Sequence, residues 1–164
     1  MIKSQFQENI ERLGLTIPDH VAPAGNYIGC NITGNLAFTA GQVPVLDGEK
    51  TGFGKVGSEY TADEAYDYAR LAGLMVLSRL RAACIEAGAP VDDPFSIVKK
   101  LVKVTGFVNC LPDFYEQPKV LNGASDVMIE VFGEAGRHSR SAVGVNVLPN
   151  NHCVEVEAIF ELTL

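Results

Sequence analysis

Basic residues are scarce in this chain, long apolar runs are missing, and cysteines are few and scattered. Thirteen Lys+Arg against 20 Asp+Glu leave a formal charge of −7, and no local run of Lys or Arg offsets it. A nucleic-acid partner is therefore not expected, because neutralising phosphates takes a basic surface. No stretch reaches membrane-spanning length, and Met1 to Leu13 carries Lys3, Glu8, Glu11 and Arg12 instead of a signal-peptide apolar region. No membrane association is expected. The cysteines, Cys30, Cys84, Cys110 and Cys153, include no Cys-x-x-Cys pair and no neighbouring His pair. They read as reduced thiols of a cytoplasmic protein. His152 beside Cys153 is the one adjacency of ligand types, but two groups at an expected loop tip are too few for a closed zinc site, so no metal is expected.

What the 164 residues do have is core material, with 47% apolar and 20% charged. That suits a single domain over 1–164, with residues 1–18 as a helical N-terminal extension. Ser4 with Gln7 resembles a capping box, Phe6, Ile10 and Leu13 follow at helical spacing, and Gly14 supplies the stop. Pro18, Pro23 and Gly25 break that pattern, and Thr33-Gly34-Asn35 between apolar runs predicts a hairpin over 27–39. Asp47-Gly48 predicts a turn and Gly52 to Gly57 a loose glycine-rich loop.

Thr61 with Glu64 is a capping box, and Ala65, Tyr68, Ala72, Val76, Leu80 and Ala83 form the core stripe of a long helix ending before Gly88. Residues 97–109 predict a strand, with Val98, Val102, Val104 and Val108 on one side and Lys99, Lys103 and Thr105 on the other. Val120, Ala124, Val127 and Val131 predict another helix, ended by Gly133 and Gly136. The last 25 or so residues predict a strand pair turning at Pro149-Asn150-Asn151.

Period-two alternation in that pair assigns Val143, Val145 and Val147, with Val154, Val156, Ala158, Phe160 and Leu162, to the face meeting the helices. Arg140, Ala142, Gly144 and Asn146 then share the other face with Cys153, Glu155, Glu157, Ile159 and Glu161. Such a face is either plainly wet, as on most antiparallel sheets, or a site shared with another chain, and the small residues Ala142 and Gly144 weaken the wet reading by leaving room beside Arg140. With the turn at Asn150 and Asn151, Glu155 lies roughly 20 Å along the strands from Arg140. Cooperation between the two then requires two subunits, which predicts a homo-oligomer.

Ala40-Gly41-Gln42-Val43-Pro44, the Gly54-Lys55-Val56-Gly57 loop, residues 102–109 with Asp113-Phe114, Ser139-Arg140-Ser141, and Leu148-Pro149 before Val154-Glu155-Val156-Glu157-Ala158 resemble the YjgF/RidA family in order and spacing. The resemblance implies an α+β, chorismate-mutase-like fold: a mixed β-sheet with two long helices packed on one face, assembled as a homotrimer with ligand sites between subunits. It also implies hydrolysis of reactive enamines and imines, such as 2-aminoacrylate, to 2-oxo acids and ammonia. By motif, Arg140 holds the substrate carboxylate and Glu155 activates water, while Tyr27 and Gly41 help form the cleft. No cofactor is implied, because an imine is already electrophilic. Ala40 and Ala142 stand where well-studied members carry Ser and Cys, so two polar pocket positions are lost. That pocket suits a small carboxylate with a larger apolar side chain.

Two other readings accompany this one. A non-catalytic binder of small carboxylates needs Arg140 but not Glu155, and an endoribonuclease, a label attached to this family, is opposed by the −7 charge. Gly52-Phe53-Gly54-Lys55-Val56-Gly57 matches G-x-G-x-x-G without the strand and helix that dinucleotide binding requires. His138, Ser139 and Ser141 lie close in sequence without a nucleophile elbow, and Cys110 reads as an ordinary packed residue.

Overall fold

The computed structural model describes residues 3–19 and 25–164; of the expected helix breakers, Pro23 lies outside them. In chain order the elements are α1 (Gln5–Leu13), β1 (Cys30–Thr33), β2 (Leu36–Thr39), β3 (Val45–Leu46), β4 (Glu49–Lys50), α2 (Ala62–Glu86), β5 (Val98–Asn109), α3 (Gln117–Phe132), β6 (Ser139–Val145) and β7 (Val154–Leu162). A five-stranded sheet runs β1-β2-β7-β5-β6, and β3 and β4 form a separate two-stranded ribbon. This is the expected mixed sheet with two long helices on one face.

The capping chemistry is where the spacing put it. Thr61 Oγ1 accepts from Glu64 N at 3.2 Å while the Glu64 carboxylate accepts from Thr61 N at 2.8 Å, closing both halves of the box that starts α2. On α1 the Ser4 hydroxyl accepts from Gln7 N, but the Gln7 side chain turns to Glu11, so half a box forms. The Ser4 hydroxyl and amide also donate to the two Asp93 oxygens, each at 2.6 Å, which docks α1 on the turn before β5. Phe6, Phe95 and Phe160 surround Phe132 edge-on at 5.1, 5.7 and 5.9 Å, so this extension shares the main core.

Two departures come from the sheet. On β5 Leu101, not Val102, takes the buried slot, because the pairing with β7 slips between Val98 and Lys100 and again between Leu101 and Lys103. The C-terminal strands also form no hairpin: β5 lies between them, antiparallel to β7 and parallel to β6, with α3 as the crossover. Asn150 and Asn151 do adopt left-handed turn conformations at φ 54° and 60°, but the strands they join splay to either side of β5.

Helices α2 and α3 cross where Gly73 and Gly123 let them touch. A Cβ on Gly123 would sit 2.0 Å from the Tyr66 carbonyl oxygen and 2.9 Å from the Arg70 amide, both backbone atoms that cannot step aside. Arg70–Glu130 and Tyr66–Asp126 hydrogen bonds fix the same crossing. Gly123→Ala gains about 1 kcal/mol of helix propensity and overpacks the crossing by more. A net loss of about 1–3 kcal/mol is expected in urea unfolding.

Candidate functional site

Glu155 sits on β7, on the sheet face away from the helices. Opposite it, the pairing of β2 with β7 passes from Phe38↔Ile159 to Gln42↔Val156, so three residues, Thr39 to Gly41, face two, Glu157 and Ala158. The Thr39 hydroxyl fills the gap, accepting from Ala158 N at 2.9 Å and donating to its carbonyl oxygen at 3.3 Å. This bulge brings Gly41 against the Glu155 side chain, so closely that a Cβ there would lie 1.9 Å from Oε1. Gln42, buried behind it, donates to the Ala40 and Gly41 carbonyls and accepts from Arg79 Nε at 2.9 Å.

No hydrogen bond or ion pair to another side chain engages the Glu155 carboxylate among the described residues. Burial, with Glu157 nearby, pushes its carboxyl above the ordinary 4.5. Glu161, by contrast, is held by Lys99 at 2.8 Å and Asn35 at 3.1 Å, and the Lys99 bond draws its carboxyl below the ordinary value. Ala at position 41 collides with the mobile end of Glu155, not with backbone. Gly41→Ala is therefore expected to displace the carboxylate, weakening about tenfold or more any chemistry that depends on its placement. Its unfolding free energy should stay within about 1 kcal/mol of wild type.

Arg140 corrects the sequence-based face assignment. Its Nη1 donates to Asn122 Oδ1 at 2.9 Å and Ser125 Oγ at 3.0 Å, and its Nη2 to the Pro118 carbonyl at 3.2 Å, all on α3. Arg140, Ala142 and Gly144 thus face the helix layer, beside Val104, Gly106 and Val108 of β5. Val143 and Val147, expected against the helices, are 44% and 64% exposed. The small side chains explain the inversion: Cys110 Sγ and Gln117 Nε2 come within 2.9 Å of where a Gly144 Cβ would stand, an approach valine cannot tolerate. Three of the five guanidinium N–H groups are held by α3. Nε–H and one Nη2–H meet no acceptor among the described residues, enough for one bidentate contact with a carboxylate.

Arg140 and Glu155 therefore lie on opposite faces, with β5 between their strands. They are roughly 10 Å apart across the sheet and about 10 Å apart along it. Tyr27, 56% exposed, precedes β1 at the far edge of the sheet, where with Gly29, Arg79 and Glu86 it lines a recess of about 190 Å³. Ala40 is tied to that segment by the hydrogen bond its backbone N–H donates to the Gly29 carbonyl. Ala40, Gly41 and Glu155 lie together where β2 meets β7, Tyr27 stands beyond them at the β1 edge against Arg79 and Glu86 of α2, and Arg140 with Ala142 lies on the β6 edge. A second recess, about 360 Å³, opens beside the latter between Cys110, Tyr115, Gln117 and Gly144.

The remaining motifs are structural. Lys55 donates to Asn109 Oδ1 at 2.7 Å and to the Asn146 carbonyl, and Gly54 N to the Asn151 carbonyl at 2.7 Å, so the glycine-rich loop is tied to the ends of β5 and β6. His152 is not at an exposed loop tip: it is 1% exposed, stacked on Phe53, with Nδ1 bonded to the Thr51 carbonyl. Among the described residues, no group of three His, Cys, Asp or Glu is placed to hold a metal ion, and no helix is long and apolar enough to cross a membrane. The four cysteines are unpaired, and burial pushes Cys84 and Cys153 up to about 12. The supports of Arg140 were missed at the sequence level. Part of their signal was there: Asn122 and Ser125 stand at i and i+3, two polar side chains on one face of a helix otherwise valued for its apolar one, whereas Pro118 acts through its backbone carbonyl, which no side-chain pattern shows.

A family model described as "YjgF/chorismate mutase-like, putative endoribonuclease" matches residues 8–162. Protein TCP17 of Trypanosoma cruzi is 41% identical over 155 residues, 94% of this chain and 92% of that one. The crystal structure of Atu1372 from Agrobacterium tumefaciens superposes with a TM-score of 0.84 at 35% identity, covering 97% and 92% of the two chains. E. coli TdcF with bound serine superposes at 0.53 with 25% identity, covering 98% and 97%.

Proposed function

The chain belongs to the YjgF/chorismate mutase-like family, and on that premise we propose that it hydrolyses 2-imino acids, and enamines that tautomerise to them, to 2-oxo acids and ammonia. The site is a cleft shared between subunits of a homotrimer, with Tyr27, Ala40, Gly41 and Glu155 from one chain and Arg140 and Ala142 from its neighbour. The observation that carries this reading is the half-buried Glu155 carboxylate, left without a side-chain partner and seated on the Gly41 backbone. A base must keep its lone pair free, and burial adjusts its basicity toward neutral pH. The two unused N–H groups of Arg140 supply the carboxylate clamp.

In the reaction, Glu155 takes a proton from water as the water oxygen bonds to the imine carbon, and it returns that proton to the imine nitrogen to give the carbinolamine. Glu155 then takes the carbinolamine hydroxyl proton and passes it to the amine as the C–N bond breaks, releasing ammonia and leaving the 2-oxo acid. Serine bound to TdcF, a small molecule bearing a carboxylate, supports a ligand of this class. The four unpaired thiols support a cytoplasmic setting. One observation favours non-catalytic binding as a second reading: Ala40 and Ala142 put methyl groups where polar pocket groups stand in well-studied relatives. The test is release of 2-oxo acid and ammonia from imines generated in situ by an amino-acid oxidase under a semicarbazide trap. Accelerated hydrolysis by wild type supports the deaminase. Silence across the panel, with 2-oxo acid binding retained, supports the binder.

A further inference from the structure

Behind Arg140 stands a second polar chain. Ser125, 8% exposed, lies with its Oγ 3.0 Å from His138 Nε2, and His138 Nδ1 is 2.6 Å from the Gly136 carbonyl. A carbonyl oxygen can only accept, so His138 carries a proton on Nδ1, and in the neutral ring Nε2 is an acceptor. The single Ser125 hydroxyl proton then points to Nε2, and its oxygen lone pairs are left for Arg140 Nη1.

We propose that Ser125 and neutral His138 are positioning residues for Arg140, holding the guanidinium so that its Nε–H and Nη2–H edge meets the ligand carboxylate. Protonating His138 reverses the chain. Nε2–H then donates to Ser125 Oγ, which already accepts from a cation, so the hydroxyl proton loses its acceptor and two positive groups are held against one oxygen. Arg140 is the charged group that faces His138. Asp126 and Glu130 on α3 are held by Tyr66 and Arg70 of α2, Glu134 by Arg137, and on β5 Lys103 stands beside Ser139. Burial, opposed by the Gly136 carbonyl bond and helped by the Arg140 charge, lowers the His138 pKa from its ordinary 6.5, which keeps the ring neutral at pH 7. Ser139, whose hydroxyl turns to the Val102 carbonyl, takes no part.

The inference rests on Arg140 binding a carboxylate, and the experiment separates the two. Dissociation constants for 2-oxobutanoate are measured by titration calorimetry between pH 5 and pH 8, in the Glu155→Gln background so that the base does not titrate. Wild-type His138 should bind more weakly as pH falls below its depressed pKa. His138→Leu should bind about three- to tenfold more weakly at pH 7.5 with a flat pH profile, the loss of the neutral hydrogen bond that orients Ser125 toward Arg140. His138→Gln, whose amide oxygen can accept from Ser125, should restore affinity without the pH dependence. If His138→Leu does not fold, Ser125→Ala is the variant, expected to weaken binding and flatten the profile. Wild-type affinity and an unchanged profile in these variants overturn the positioning role. Unchanged affinity in Arg140→Ala overturns instead the reading on which it rests.

Discussion

Glu155→Gln is expected to lower imine hydrolysis by about 100-fold or more, the usual contribution of a general base, while leaving 2-oxo acid affinity within about threefold of wild type. Gln is isosteric and still fits against Gly41, but it cannot take a proton from water. The raised carboxyl pKa sets the pH dependence. Ionised Glu155 is the working form, so the acid limb of the wild-type rate profile lies above 4.5. Stability runs the other way. Because the folded-state pKa lies above the unfolded one, the fold favours the neutral acid. Stability is therefore lost as pH rises from 4.5 through the folded value. Glu155→Gln removes that cost, so its melting temperature should equal or exceed wild type at pH 7, and the gap should close at pH 4. A variant that loses activity because it has loosened would melt lower.

Arg140→Ala should weaken 2-oxo acid binding by about 200-fold or more, the loss of two charge-assisted hydrogen bonds at about 1.5–3 kcal/mol each. Arg140→Lys should behave much like Ala. An ammonium has three donors, and the three acceptors on α3, Pro118 O, Asn122 Oδ1 and Ser125 Oγ, can use them all. The guanidinium meets the same acceptors and keeps two N–H groups over. Titration calorimetry on both variants, with circular dichroism as the folding check, decides the point. A Lys variant that binds like wild type would contradict the bidentate clamp.

Local chemistry was legible from sequence wherever a short segment decides its own structure. The Thr61–Glu64 box, the α2 stripe and the Gly34 turn between β1 and β2 needed no distant partner. The two C-terminal strands were misread because turn residues specify that the chain reverses, not which strand pairs with which. Long-range pairing inserted β5. Alternation likewise showed that Arg140, Ala142 and Gly144 share a face without saying which. The valines pointed to the wrong answer, because on β6 it is the small residues that admit Cys110 and Gln117. Separation of Arg140 from Glu155 within a chain survived on different grounds, opposite faces instead of distance along a hairpin. The bulge that seats Gly41 on Glu155 had no local signal, since it depends on the register between β2 and β7.

The most direct test of a site shared between chains is complementation. Arg140→Ala and Glu155→Gln chains, each inactive alone, are co-expressed and the mixed assemblies assayed for imine hydrolysis. If one subunit supplies Arg140 and its neighbour Glu155, random mixing leaves about one site in four with both wild-type groups, so about a quarter of wild-type activity should return. Mixed assemblies, verified by mass spectrometry, that stay as inactive as either parent would contradict the shared site.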